Sequence, residues 1–148
     1  MFMQDSGINH TSYITHRTKI ALLALYMLLI LTASVIPMDR GIEGLDFVTG
    51  LKPSIQNLLH VPAYGFLSIL WLQILRPYPR LGYKRIFFVL FVSIGFGIFN
   101  ELIQLTVPGR YPSVIDAGLN IIGVIGGMLL YLWLERSGPG PIRRIVCG

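Results

Sequence analysis

The sequence predicts an all-α membrane protein, a bundle of four transmembrane helices with both termini cytoplasmic. Three observations carry that expectation. Of the 148 residues, 53% are hydrophobic and only 13% charged, against about 25% charged in an ordinary soluble domain. Four apolar runs, at 20–36, 58–75, 86–107 and 117–134, approach or reach the length of a bilayer crossing, which takes roughly 20 residues of helix. Finally, nine of the twelve Lys and Arg residues fall on the connections of one side.

Residues 1–16 are polar and are expected to form a flexible cytoplasmic N-terminus, followed by a membrane domain at 17–136. The first run follows Arg17 and Lys19 and contains the small residues Thr32, Ala33 and Ser34, a pattern shared with cleavable secretory signals. Its length, and the three runs behind it, favour a retained helix.

The second run enters from the outer side. Asn57, His60, Tyr64 and Ser68 fall on one side at near-helical spacing. Pro62 suits a first helical turn, where its missing N–H costs nothing, so His60 is expected at or just before the helix start. The third run is expected to end at Pro108. That places Glu101 about 10 Å below the helix end at 1.5 Å per residue, with Asn100 and Gln104 extending its polar stripe. The fourth run starts with Asp116 and Asn120, four residues apart, and continues with Gly123 and Gly127. That small-xxx-small spacing lets a neighbouring helix approach closely. Gly138-Pro139-Gly140-Pro141 ends the helix and opens a cytoplasmic tail, 137–148, that carries Cys147.

Basic residues fix the orientation. Arg17 and Lys19, then Arg76, Arg80, Lys84 and Arg85, then Arg136, Arg143 and Arg144 share one side; Arg40, Lys52 and Arg110 are left on the other. The positive-inside rule makes the first side cytoplasmic. Segments 37–57 and 108–116 then face outward. The longer one mixes apolar residues with Glu43, Asp46 and Lys52, as a segment lying among lipid headgroups does.

The same accounting assigns the net charge of +5 to topology and gives no reason to expect a nucleic-acid partner. A single cysteine excludes an internal disulfide and a Cys-rich metal site. No H-E-x-x-H, G-x-S-x-G or P-loop motif occurs, so no metal, cofactor or nucleophile is expected and catalytic residues stay unassigned.

What composition does not explain is a set of polar residues at the outer ends of apolar helices. A carboxylate within the bilayer is costly by a few kcal/mol or more, which makes it a functional-site hypothesis. His60, Tyr64, Glu101, Gln104, Arg110, Asp116 and Asn120 are therefore the candidate ligand-binding residues, with Ser34, Pro37, Pro108, Gly123 and Gly127 as structural support. Structural alternatives stand beside this reading. Asp116 suits a helix N-cap. Arg110 suits an ion pair with Glu101 or Asp116, as well as the phosphate or carboxylate of a headgroup. The cluster as a whole could simply fasten helices, at about 0.6 kcal/mol per buried polar pair. An enzyme using Glu101 or His60 as a base is a further alternative.

In order and spacing these residues resemble the VanZ-like family of bacterial membrane proteins. The resemblance rests on Ser34-x-x-Pro37, Asn57-Leu-Leu-His60 with Tyr64, Glu101-x-x-Gln104, Pro108-x-Arg110, and Asp116-x-x-x-Asn120 followed by Gly123. Gln56-Asn57 stands where many relatives carry an acidic residue followed by Lys. The resemblance implies a multi-pass protein of the bacterial inner (cytoplasmic) membrane, and a founding member associated with teicoplanin resistance. The expected partners are membrane lipids, with a lipid-linked cell-wall precursor or a lipoglycopeptide as candidate ligands.

Overall fold

A computed structural model describes residues 10–36, 53–78, 82–108, 110 and 113–137, with side chains from His16 in the first helix and from Ile55 in the second. Pro37, the segment 38–52, the tail beyond Ser137 and Cys147 lie outside the described residues. Those described form the helices α1 (His10–Val35), α2 (Pro53–Leu58), α3 (His60–Leu75), α4 (Lys84–Gln104) and α5 (Val114–Ser137), and contain no strand. Four spans are long and apolar enough to cross a membrane: His16–Val35, Ile55–Leu75, Lys84–Gln104 and Val114–Ser137.

Helix ends differ from the sequence expectation in four places, each with a local cause. Helix α1 starts at His10, inside the stretch expected to be flexible, and no Gly or Pro interrupts it before Val35. Helices α2 and α3 are one span with a single-residue break at Leu59, which keeps right-handed helical angles (φ −64°, ψ −19°). Pro62 supplies no N–H for the Leu58 carbonyl, so the hydrogen-bond ladder skips there. It resumes when the Ala63 N–H reaches the Leu59 carbonyl at 3.2 Å. His60 thus opens α3 but lies more than a turn inside the span.

Helix α4 stops at Gln104 and turns through Thr106 N–H to Ile103 O (2.9 Å) and Val107 N–H to Gln104 O (3.1 Å). Pro108 disfavours a helical Val107 and offers no N–H to the Gln104 carbonyl. Glu101 therefore sits one turn from the helix end, shallower than expected. Ser113, not Asp116, caps α5: its hydroxyl accepts the Ile115 N–H at 3.1 Å. Asp116 falls in the first turn, where a negative charge meets the positive end of the helix dipole.

The most extensive helix contact is between α3 and α5, and glycine makes it possible. A Cβ on Gly127 would lie 2.6 Å from Gly65 Cα, and one on Gly123 would lie 3.1 Å from Val61 Cα. Lipid tails are as apolar as Leu, so helices in a bilayer gain from close packing and not from escaping water. Two side-chain clusters complete the interior. Tyr64, Leu67, Phe96 and Val124 belong to one, and Leu72, Val89, Met128 and Tyr131 to the other. At the end away from the polar cluster, Arg85 and Glu135 pair at 2.9 Å between α4 and α5. Large apolar side chains such as Leu25, Phe91, Ile122 and Leu129 point outward, as a lipid-facing surface requires.

Candidate functional site

One end of the bundle gathers polar side chains from every long helix. Ser34 comes from α1, His60 and Tyr64 from α3, Asn100, Glu101 and Gln104 from α4, and Asp116 and Asn120 from α5, while Arg110 comes from the turn between α4 and α5. Asn100 and Asn120 are each 1% exposed, Glu101 8% and Asp116 7%. Buried polar groups are costly unless they find partners, so their bonding defines the site.

Asn120 is the hub. Its Oδ1 lies 2.8 Å from His60 Nδ1, and its Nδ2 donates to Glu101 Oε1 at 3.4 Å. Because the amide nitrogen faces the acid, the amide oxygen faces the imidazole. His60 must therefore carry its proton on Nδ1 to donate there, which leaves Nε2 as a free acceptor when the ring is neutral. The imidazole stacks on Tyr64, with planes 5° apart and centroids 6.2 Å apart. The buried Tyr64 hydroxyl lies near Asn100 but outside hydrogen-bonding geometry. Asn100 in turn ties α4 to α1. Ser34 Oγ is 2.6 Å from Asn100 Oδ1 and 2.8 Å from the Ile30 carbonyl, and its one proton serves these in turn.

Arg110 is held in a way the sequence reading did not contain. Its Nε donates to the Ile36 carbonyl at 3.2 Å and its Nη2 to the Ala33 carbonyl at 2.9 Å. The last carbonyls of a helix lack intrahelical partners, and the guanidinium supplies donors at the end of α1. Burial pushes the Arg110 pKa down from its ordinary value, while the negative charges of Glu101 and Asp116 oppose that shift. No ion pair joins Arg110 to either acid among the described residues. The guanidinium has five N–H donors, of which two meet the Ile36 and Ala33 carbonyls.

Among the described residues, Glu101 Oε2 and Asp116 Oδ1 have no hydrogen-bond partner. The two carboxylates lie within electrostatic reach of each other and of His60. Among the described residues no three His, Cys, Asp or Glu side chains are grouped as metal ligands. Beside the cluster, a groove between α4 and α5 is lined by Ile94, Gly97, Ile98, Ala117, Asn120 and Ile121. Asn120 separates this apolar groove from Glu101.

Of the sequence-predicted residues, His60, Tyr64, Glu101, Asp116 and Asn120 meet directly or through one neighbour. Gln104 is buried on the same face of α4, and Pro108 closes the turn that leads to Arg110. Gly123 and Gly127 lie deeper, in the α3–α5 seam. Two contributors were not named as site residues. Asn100 was seen only as part of a stripe. Gly97 was missed, although it lies four residues before Glu101 on the same face. A Cβ there would stand 3.2 Å from both Asn120 Nδ2 and Tyr64 Cε1, so glycine gives the hub room that a larger residue would take by shifting those side chains.

The family model VanZ/LLP1 matches residues 6–135. No curated protein matches the chain. No solved structure matches it either.

Proposed function

The chain belongs to the VanZ/LLP1 family, and on that premise we propose that it binds an amphiphilic or lipid-linked ligand bearing an anionic group. The ligand's polar head enters the cleft formed by His60, Tyr64, Glu101, Gln104, Arg110, Asp116 and Asn120, at the outer leaflet of the bacterial cytoplasmic membrane. The carrying observation is a carboxylate, Glu101, kept 8% exposed with one oxygen unsatisfied among the described residues, in a helix apolar enough to cross a membrane. A purely fastening residue would have both oxygens bonded. The remaining donors of Arg110 supply the contact for the anion.

Orientation follows from the basic residues. Arg76, Lys84, Arg85 and Arg136 stand at the end of the bundle opposite the cluster, which favours a cytoplasmic position for that end and for both termini. A reporter fused after Ser137 is expected to be active only in the cytosol. A lipid-linked cell-wall precursor and a lipoglycopeptide both have the required amphiphilic character, and through such a ligand the protein would bear on teicoplanin-type resistance.

Native mass spectrometry of gently extracted protein tests the reading. The wild type is expected to retain a defined amphiphile, and Glu101→Gln to lose it while still accumulating in the membrane. Equal retention by both, or none by the wild type, would refute ligand binding at this cluster. Arg110→Ala is a poorer probe, because it also frees the carbonyls at the end of α1.

A second reading, an intramembrane enzyme acting on a lipid-linked substrate, draws on one feature. The Glu101–Asn120–His60 chain presets the imidazole tautomer and leaves Nε2 to act as a base. Mass-spectrometric detection of a product after incubation with lipid substrates, lost in His60→Gln, would favour it over simple binding.

A further inference from the structure

The unsatisfied groups in the cluster restrict what the ligand's head must offer. Among the described residues, Glu101 Oε2 and Asp116 Oδ1 are buried acceptors without a hydrogen-bond partner, and the Tyr64 hydroxyl is likewise unpartnered. The two carboxylate oxygens sit on side chains 8% and 7% exposed, on facing helices. Arg110 directs its Nε and part of its Nη2 to the Ile36 and Ala33 carbonyls. Asn120 Nδ2 reaches only Glu101 Oε1, and His60 Nδ1 is turned to Asn120 Oδ1. An anionic head alone brings only further acceptors to the Glu101 and Asp116 oxygens.

We infer that the head carries a protonated primary amine, which donates to Glu101 and Asp116, beside an anionic group on the Arg110 side: the ligand is a zwitterionic amino-headed amphiphile. This rests on the ligand-binding reading given above and adds the chemistry of the head. An ammonium has three N–H donors on a compact centre, so it can donate to more than one acceptor. Charge-assisted hydrogen bonds are about twice as strong as neutral ones, so the preference for an amine over a head without one should be large. A quaternary ammonium brings the charge without donors. A glycerol head brings donors without the charge.

The test compares four lipids with identical acyl chains and different heads: phosphatidylethanolamine, its N-trimethylated form phosphatidylcholine, phosphatidylglycerol and phosphatidic acid. Each is added to delipidated wild-type protein in detergent and its binding measured by native mass spectrometry. Phosphatidylethanolamine is expected to bind about tenfold or more tighter than each of the other three. In the double variant Glu101→Gln, Asp116→Asn, that preference should shrink to within about twofold. Should the variant not accumulate, the wild-type ranking alone decides. Comparable binding of phosphatidylglycerol or phosphatidylcholine would overturn the amine while leaving a lipid-binding cleft in place. No binding of any of the four would overturn the cleft reading and the amine with it.

Discussion

Gly127→Ala is expected to pull α3 and α5 apart and to destabilise the bundle by about 1–3 kcal/mol, the usual cost of forcing atoms into a packed interior. The new methyl would lie 2.6 Å from Gly65 Cα and even closer to the Gly65 carbonyl oxygen. Those atoms are backbone, so neither can rotate out of the way and one helix must move. Gly126→Ala is the matched control, because a Cβ there meets nothing within 4 Å. Thermal melting in a mild detergent should show a clear drop for the first variant and none for the second. Equal melting temperatures would mean that the two helices are not in backbone contact.

Asn120→Leu is expected to have the second large effect, and to reach function as well as stability. Leucine is somewhat larger than asparagine and makes no hydrogen bond. It would strip His60 of its Nδ1 partner and Glu101 of its Asn120 donor in a single step. Each buried polar group left unpaired costs about 1–3 kcal/mol, so the loss should be about 2–4 kcal/mol. A double-mutant cycle with Glu101→Gln separates the parts, since coupled residues give non-additive losses. The expected result is that Asn120→Leu costs less once Glu101 is a glutamine. Strict additivity would show that the two side chains do not act together.

Much of the fold was legible because the bilayer leaves few options. Backbone polar groups must be satisfied internally, so an apolar run of sufficient length in lipid is a helix. The four crossings followed from that alone. The spacing of Glu101 and Gln104, and of Asp116 and Asn120, placed those pairs on single helix faces before any contact was known. What the sequence did not contain was the choice of partner across helices. Ser113 and Asp116 both suit an N-cap, and the helix start, one residue after Ser113, decided between them. Arg110 had two acids and a headgroup as candidate partners and took backbone carbonyls of α1 instead. Carbonyls carry no side-chain signature, so no residue pattern announces them. Gly97 was missed for a related reason: a glycine in a membrane helix reads as generic packing until the asparagine opposite it is known.

The guanidinium bracket on α1 has a bearing on how the protein is made. Arg110 lies 74 residues after Ile36 and 77 after Ala33, and Asn100 lies 66 after Ser34. Translation therefore delivers the first crossing, with a mean hydropathy of 2.0, well before these partners. An earlier tie comes from Tyr26, whose hydroxyl donates to the Ala63 carbonyl of α3, 37 residues on. The bracket from Arg110 is added only when the turn after α4 emerges, so among these polar ties it is the last that synthesis can close onto the earliest helix.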